Sequence, residues 1–151
     1  MPKKCFLIYL QDIANPIIFS AVKNSGKIYY ADDYVDSFDK FLVNDGSGFN
    51  LETGTFKAPT SGVFEFSASL LHELYVSNDR SRIAVLKNLV RELEFREYDN
   101  DTTNYNDGTL SFTWILELKE GDEVRLKATA GRFECGSSYT CTFSGKFIRG
   151  I

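Results

Sequence analysis

Residues 49–66, FNLETGTFKAPTSGVFEF, constrain the fold of this 151-residue chain more than any other stretch. Gly54 supplies a positive φ after Leu51-Glu52-Thr53, and Pro59-Thr60-Ser61-Gly62 turns the chain again. Between the turns, residues 55–58 read as a short strand with Phe56 and Ala58 on one face. After them, residues 63–70 alternate strictly. Phe64, Phe66, Ala68 and Leu70 share one face, and Glu65, Ser67 and Ser69 point the other way. A period of two with one apolar side calls for antiparallel strands over a buried core.

The remainder repeats the theme. Further strands are predicted at 16–22, 27–31, 40–44, 82–87, 90–95, 110–118, 124–130 and 141–148. Phe112, Trp114, Leu116 and Leu118 share a face, and a hairpin turns at Asn88-Leu89. Residues 98–108 and 131–139 read as loops. Residues 86–95 (LKNLVRELEF) also carry a helical spacing in Leu86, Leu89, Val90 and Leu93, but ten residues make a marginal helix. The reading is all-β, with an N-terminal arm over 1–15 and one globular domain over 16–151. A chain of this length buries about 68–70% of its unfolded surface. With 43% hydrophobic and 15% aromatic residues it is not disordered.

The net charge of −4 and the lack of a basic stripe argue against nucleic acid and leave cations or basic proteins as partners. The apolar run at 5–10 (CFLIYL) is too short for a membrane helix or a signal peptide, so the chain reads as an excised domain or an intracellular protein. There is no G-x-S-x-G, H-E-x-x-H, P-loop or G-x-G-x-x-G, and no enzyme is expected. The single histidine, His72, has Glu73 as its neighbour, but adjacent strand residues face opposite ways.

The order of these residues carries more than their period. F-N-x-x-T-G-x-F-x-A-P-x-x-G-V-F-x-F-S resembles the signature of the C1q globular domain, within the wider C1q/tumour-necrosis-factor superfamily. Residues 116–126 (LELKEGDEVRL) resemble the family's L-x-L-x-x-G-D-x-V-W-L, and Thr142-Phe143-Ser144-Gly145 resembles its T-F-S-G. Phe19-Ser20-Ala21 and Phe38-Asp39-Lys40 are similar to its opening strands. Two positions depart from the pattern: Arg125 replaces the tryptophan after G-D-x-V, and the closing tyrosine is absent from Gly145-Lys146-Phe147-Ile148-Arg149. The resemblance implies a ten-stranded jelly-roll β-sandwich, assembled as a homotrimer and secreted. It favours the excised domain.

Several site residues are then expected. Cys135 and Cys141 have five residues between them and either close a disulfide or remain free thiols; Cys5 is left over. The loop over 98–108 is rich in the hard oxygen donors that calcium takes. In calcium-binding relatives two acids flank the equivalent loop, and Asp99 and Asp107 occupy those places; the alternative is a solvated Asn/Asp turn. Asn100-Asp101-Thr102 is a glycosylation sequon. Tyr75, Asp101, Tyr105, Phe133 and Tyr139 are the candidate ligand contacts, with the aromatics stacking on glycan or else packing loops. The expected function is multivalent, lectin-like recognition of a glycan or protein. The alternatives are a cytokine-like or synaptic-organiser-like receptor ligand and a structural matrix protein.

Overall fold

The computed structural model describes residues 16–74, 80–98, 106–136 and 141–151. These contain twelve strands and no helix: β1 Ile18–Lys23, β2 Lys27–Tyr29, β3 Lys40–Asp45, β4 Phe49–Asn50, β5 Thr55–Lys57, β6 Gly62–Leu74, β7 Arg80–Lys87, β8 Val90–Tyr98, β9 Asn106–Leu118, β10 Glu123–Ala130, β11 Arg132–Cys135 and β12 Cys141–Gly150. They form two antiparallel sheets. One runs β2-β11-β6-β12-β1-β3, with β9 also on β6; the other runs β4-β5-β10-β7-β8.

The long strand β6 is the spine of the first sheet. Ser67 pairs with Thr113 on one side and Ser144 on the other. Strand β9 follows β6 along its whole length, from Gly62↔Leu118 to Leu74↔Asn106. The opposite edge is shared by β12, over 62–69, and β11, at His72 and Glu73.

The alternating faces of the two sheets close over an aromatic core. From the first sheet come Phe19, Phe64, Phe66, Trp114 and Phe143; from the second come Phe49, Phe56, Ile83, Val85, Val124 and Leu126. Phe19 stacks on Phe49 at 4.4 Å and on Phe56 at 5.4 Å, and Phe66 stacks on Trp114 at 5.5 Å. Offset and edge contacts at these distances are the favoured ring geometries. Gly145 in β12 lies directly beneath this cluster. A Cβ there would stand 2.6 Å from Phe19 Cε1 and 2.7 Å from Phe66 Cδ1. Gly54 takes φ +64° while its backbone presses on the Val35 carbonyl.

The fold departs from the sequence reading at one strand and keeps the expected hairpin at Asn88-Leu89. Strand count rises because residues 132–135, read as loop, form β11. Gly131, at φ +84°, re-aims the chain from β10 into the first sheet, where Phe133 pairs with Tyr29 and His72. Residues 86–95 are hairpin and not helix, because the apolar residues of β7 and β8 are claimed by cross-strand pairing.

The acid-rich segment 32–39 serves the fold. Asp39 accepts backbone N–H bonds from Asn24 and from Ser25 (2.8 Å) and the Ser25 hydroxyl bond (2.7 Å). Those bonds hold its carboxyl below the usual range. Asp33 accepts the Tyr30 N–H at 2.8 Å, and Asp36 pairs with Lys27. Lys23, almost wholly buried, donates to Ser25 Oγ and to the Ser37 carbonyl, and burial lowers its pKa.

Candidate recognition surfaces

Tyr75, Asp99, Asn100, Asp101, Tyr105 and Tyr139, like Cys5, lie outside the described residues. Asp107 is the second residue of β9, in register with Glu73. Glu73 itself pairs with Arg132. Among the described residues no cluster of three or more metal-type side chains forms.

Phe133 is a correction. It was expected among the loop aromatics, but it is fully buried in β11, its ring 6.5 Å from that of His72. Alternation in β11 turns Phe133 and Cys135 inward, so this ring packs the core and is closed to a ligand. Cys135 and Cys141 do form a disulfide, with Cα atoms 5.3 Å apart. It joins the end of β11 to the start of β12.

His72 is buried, and its Nε2 lies 2.7 Å from Glu97 Oε2. This contact crosses from β6 to β8 and ties the two sheets together. Adding a Cβ to Gly108 would place it 2.7 Å from the same ring nitrogen, so glycine leaves the imidazole its room.

Two outward faces remain. On the first sheet, hydroxyls pair across β6 and β9: Ser67 with Thr113 at 3.0 Å, and Ser69 with Ser111 at 2.8 Å. Lys146 and Glu65 pair at 3.1 Å beside them, and Ile115 stands 57% exposed. A shallow groove of about 260 Å³ runs between Ser20, Val43, Glu65, Ser144 and Lys146. Glu117, two residues on from Ile115 in β9, is exposed on the same face.

The second sheet's outward face is cationic and aromatic. Arg125 stacks over Tyr34 at 3.9 Å and donates to the Thr53 carbonyl at 3.1 Å, while Lys127 approaches the same ring at 5.5 Å. The departure from the family's tryptophan at Arg125 therefore keeps a ring at this spot but supplies it from residue 34. Below it a hollow of about 400 Å³ is lined by Asn50, Thr53, Lys57 and Glu123.

Further along, Arg80, Arg82, Arg96 and Tyr98 meet. Arg82 and Arg96 donate to the Tyr98 hydroxyl at 3.3 and 3.2 Å, and Arg80 lies 5.4 Å from its ring centroid. These bonds, Arg96 first and then Arg82, pull the phenol pKa down. Sequence reasoning missed this group. Its signal was the like parity of Arg80 with Arg82 and of Arg96 with Tyr98.

A C1q domain model matches residues 18–148. The mouse "Complement C1q tumor necrosis factor-related protein 2" is 32% identical over 90 residues, covering 60% of this chain and 28% of that protein. The mouse "Complement C1q and tumor necrosis factor-related protein 9" is 29% identical over 94 residues, covering 62% and 26%. The chain thus spans under a third of these relatives' length. Among solved structures, the globular domain of zebrafish complement 1qA superposes with a TM-score of 0.68 at 19% identity, covering 89% of this chain and 99% of that one. Eiger TNF from S. frugiperda superposes at 0.73 with 16% identity, covering 91% and 95%. At these identities the structural likeness shows the jelly-roll fold alone. With a match across residues 18–148, an all-β sandwich of the same architecture, and the G-x-F-x-A-P and T-F-S-G segments supplying Phe56, Ala58 and Phe143 to its core, the chain belongs to the C1q domain family.

Proposed function

We propose that this domain is a secreted recognition module that works as a homotrimer and binds ligands without catalysis. The observation that carries the reading is the C1q match across residues 18–148. The outward face of the first sheet supports assembly. It is hydroxyl-lined, its Lys146 and Glu65 are paired with each other, and it exposes Ile115. The apolar Ile115 and the hydroxyls suit packing against a second copy, with Glu117 left at the rim. Three copies would multiply weak single contacts into useful avidity. Ligands are glycans or proteins, and lectin-like specificity is the finer form of the proposal. Calcium held by Asp99 and Asp107 belongs to the same proposal, through the oxygen donors of residues 98–108.

A signalling ligand is the second reading. It is favoured by the 32% identity to a protein named for both C1q and tumour necrosis factor. Light scattering of wild type and Ile115→Lys tests assembly: a trimer for the first and a smaller species for the second are expected. A wild type that stays monomeric at high concentration, with and without calcium, refutes the trimer. Unchanged thermal stability of Asp99→Ala/Asp107→Ala in calcium relative to EDTA, beside a calcium-dependent wild type, supports the metal site. The same calcium response in both proteins overturns it. A glycan array against a cell-surface receptor screen separates recognition from signalling.

A further inference from the structure

We infer that Arg80, Arg82, Arg96 and Tyr98 form a binding site for the sulfate and carboxylate groups of an acidic polysaccharide. The inference rests on the recognition reading above and names its ligand class.

The site is made by a slip in register. The hairpin opens with Lys87↔Val90 and Leu86↔Arg91, then jumps to Val85↔Leu93, so Glu92 is an extra residue. Without that bulge the same two-residue turn would set Arg82 opposite Phe95 and Arg80 opposite Glu97, an ordinary ion pair. With it, Arg82 faces Arg96 and Arg80 faces Tyr98. Glu97 goes to the inner side and takes His72. Bulges commonly re-aim side chains in this way. Here the outcome is two like charges directly opposite, which costs stability.

Among the described residues, no acid on the same face cancels that charge. Of the described acids, Glu94 reaches Arg96 Nε only at 4.0 Å. Its carboxylate is already engaged by Thr129 at 2.9 Å and Arg91 at 3.3 Å. Tyr98 accepts from two guanidiniums but stays neutral in accepting, so it orders the forks without neutralising them. Arg82 Nε is closed to solvent and has no acceptor among the described residues. Arg96 and Tyr98 are 54% and 45% exposed, so the group is open to a ligand.

Guanidinium forks match planar and tetrahedral oxyanions in pairs of hydrogen bonds. The strands space the charges about 5 Å across and about 7 Å along the sheet. The surface is open and enclosed by no cavity wall, which suits repeated shallow contacts along a polymer. A nucleic acid would need a longer basic track, and the chain as a whole carries net charge −4.

The test is titration of the full chain with a heparin dodecasaccharide, read by calorimetry in low and high salt, with poly-L-glutamate in parallel. Saturable binding that weakens in high salt is expected for wild type. Arg82→Gln/Arg96→Gln should weaken it about tenfold or more per arginine, while Arg125→Gln on the same sheet leaves it unchanged. A melting curve for each variant confirms folding, and Arg96→Gln alone, at the more exposed position, serves if the double variant is unstable. No wild-type binding, or equal affinities in wild type and the Arg82/Arg96 variants, overturns the site. Equal affinity for poly-L-glutamate overturns the polysaccharide assignment. Failure of the recognition reading is separate and shows as an empty array and an empty receptor screen with any probe.

Discussion

Three glycines separate room from backbone conformation as reasons for glycine. Gly145 has an ordinary φ but no room: its Cβ would meet Phe19 and Phe66 at 2.6–2.9 Å. Neither ring can retreat. Phe19 is stacked between Phe49 and Phe56, and Phe66 is held edge-on by Phe56 and stacked on Trp114. Overpacking of this kind costs about 1–3 kcal/mol. Replacing a flexible glycine returns about 0.4–1 kcal/mol through the unfolded chain. Gly145→Ala should therefore lose roughly 1–2 kcal/mol, a fall in Tm of about 2–8 °C. Gly121 is the reverse case, with φ +88° and nothing within 4 Å; Gly121→Ala should lose about 1–2 kcal/mol from conformation alone. Gly26 has neither constraint, and Gly26→Ala should gain about 0.4–1 kcal/mol. Thermal and urea unfolding of the three variants gives the ranking. If Gly145→Ala melts with Gly26→Ala, the aromatic roof over β12 is wrong.

Leu89 sits at φ +67° beside Asn88 at φ +50°, in a turn whose second position favours glycine. Leu89→Gly should stabilise by about 1 kcal/mol, raising Tm about 2–4 °C; an unchanged or lower Tm refutes the turn assignment. Losing the Cys135–Cys141 bridge, which closes a loop of sequence separation 6, should cost about 2 kcal/mol. A Cys135→Ala/Cys141→Ala variant as stable as wild type would count against that. The carboxyls of Asp39 and Asp122 lie below their usual range, held by the Asn24 backbone N–H and the Asn88 side chain respectively. Because the unfolded carboxyl takes its proton first, the stability they add is present above about pH 4 and is lost as pH falls through the folded value. Asp39→Asn should flatten the acid limb of a Tm-against-pH curve, and an unaltered limb would refute it.

Most of the strand order was legible because alternation and turn residues coincide. Phe64, Phe66, Phe112 and Trp114 read as one buried side, and they pack there. Asn88-Leu89 read as a hairpin turn and it is one. Strand β11 was not legible: four residues are too few for a period, and Gly131 looked like the entry to a loop. Phe133 was misread for the same reason. The arginine group was out of reach because one unpaired residue, Glu92, decides which side chains meet across the hairpin. No local pattern announces that slip. The loop residues named for ligand contact came from residue type, and Asp99 and Asp107 from their place in the family pattern; neither fixes side-chain placement.

The register has a practical consequence for orientation. Ile18 lies beside Lys146, which faces Glu65, and Gly150 faces Gly62, so the polypeptide enters and leaves at one pole. Gly131 touches the Arg80 carbonyl, and Arg132 sits against Glu73, roughly 25 Å away along β6. Whatever holds this domain beside Ile18 or Gly150, a neighbouring segment or a sensor chip, turns the guanidinium pole outward toward whatever approaches.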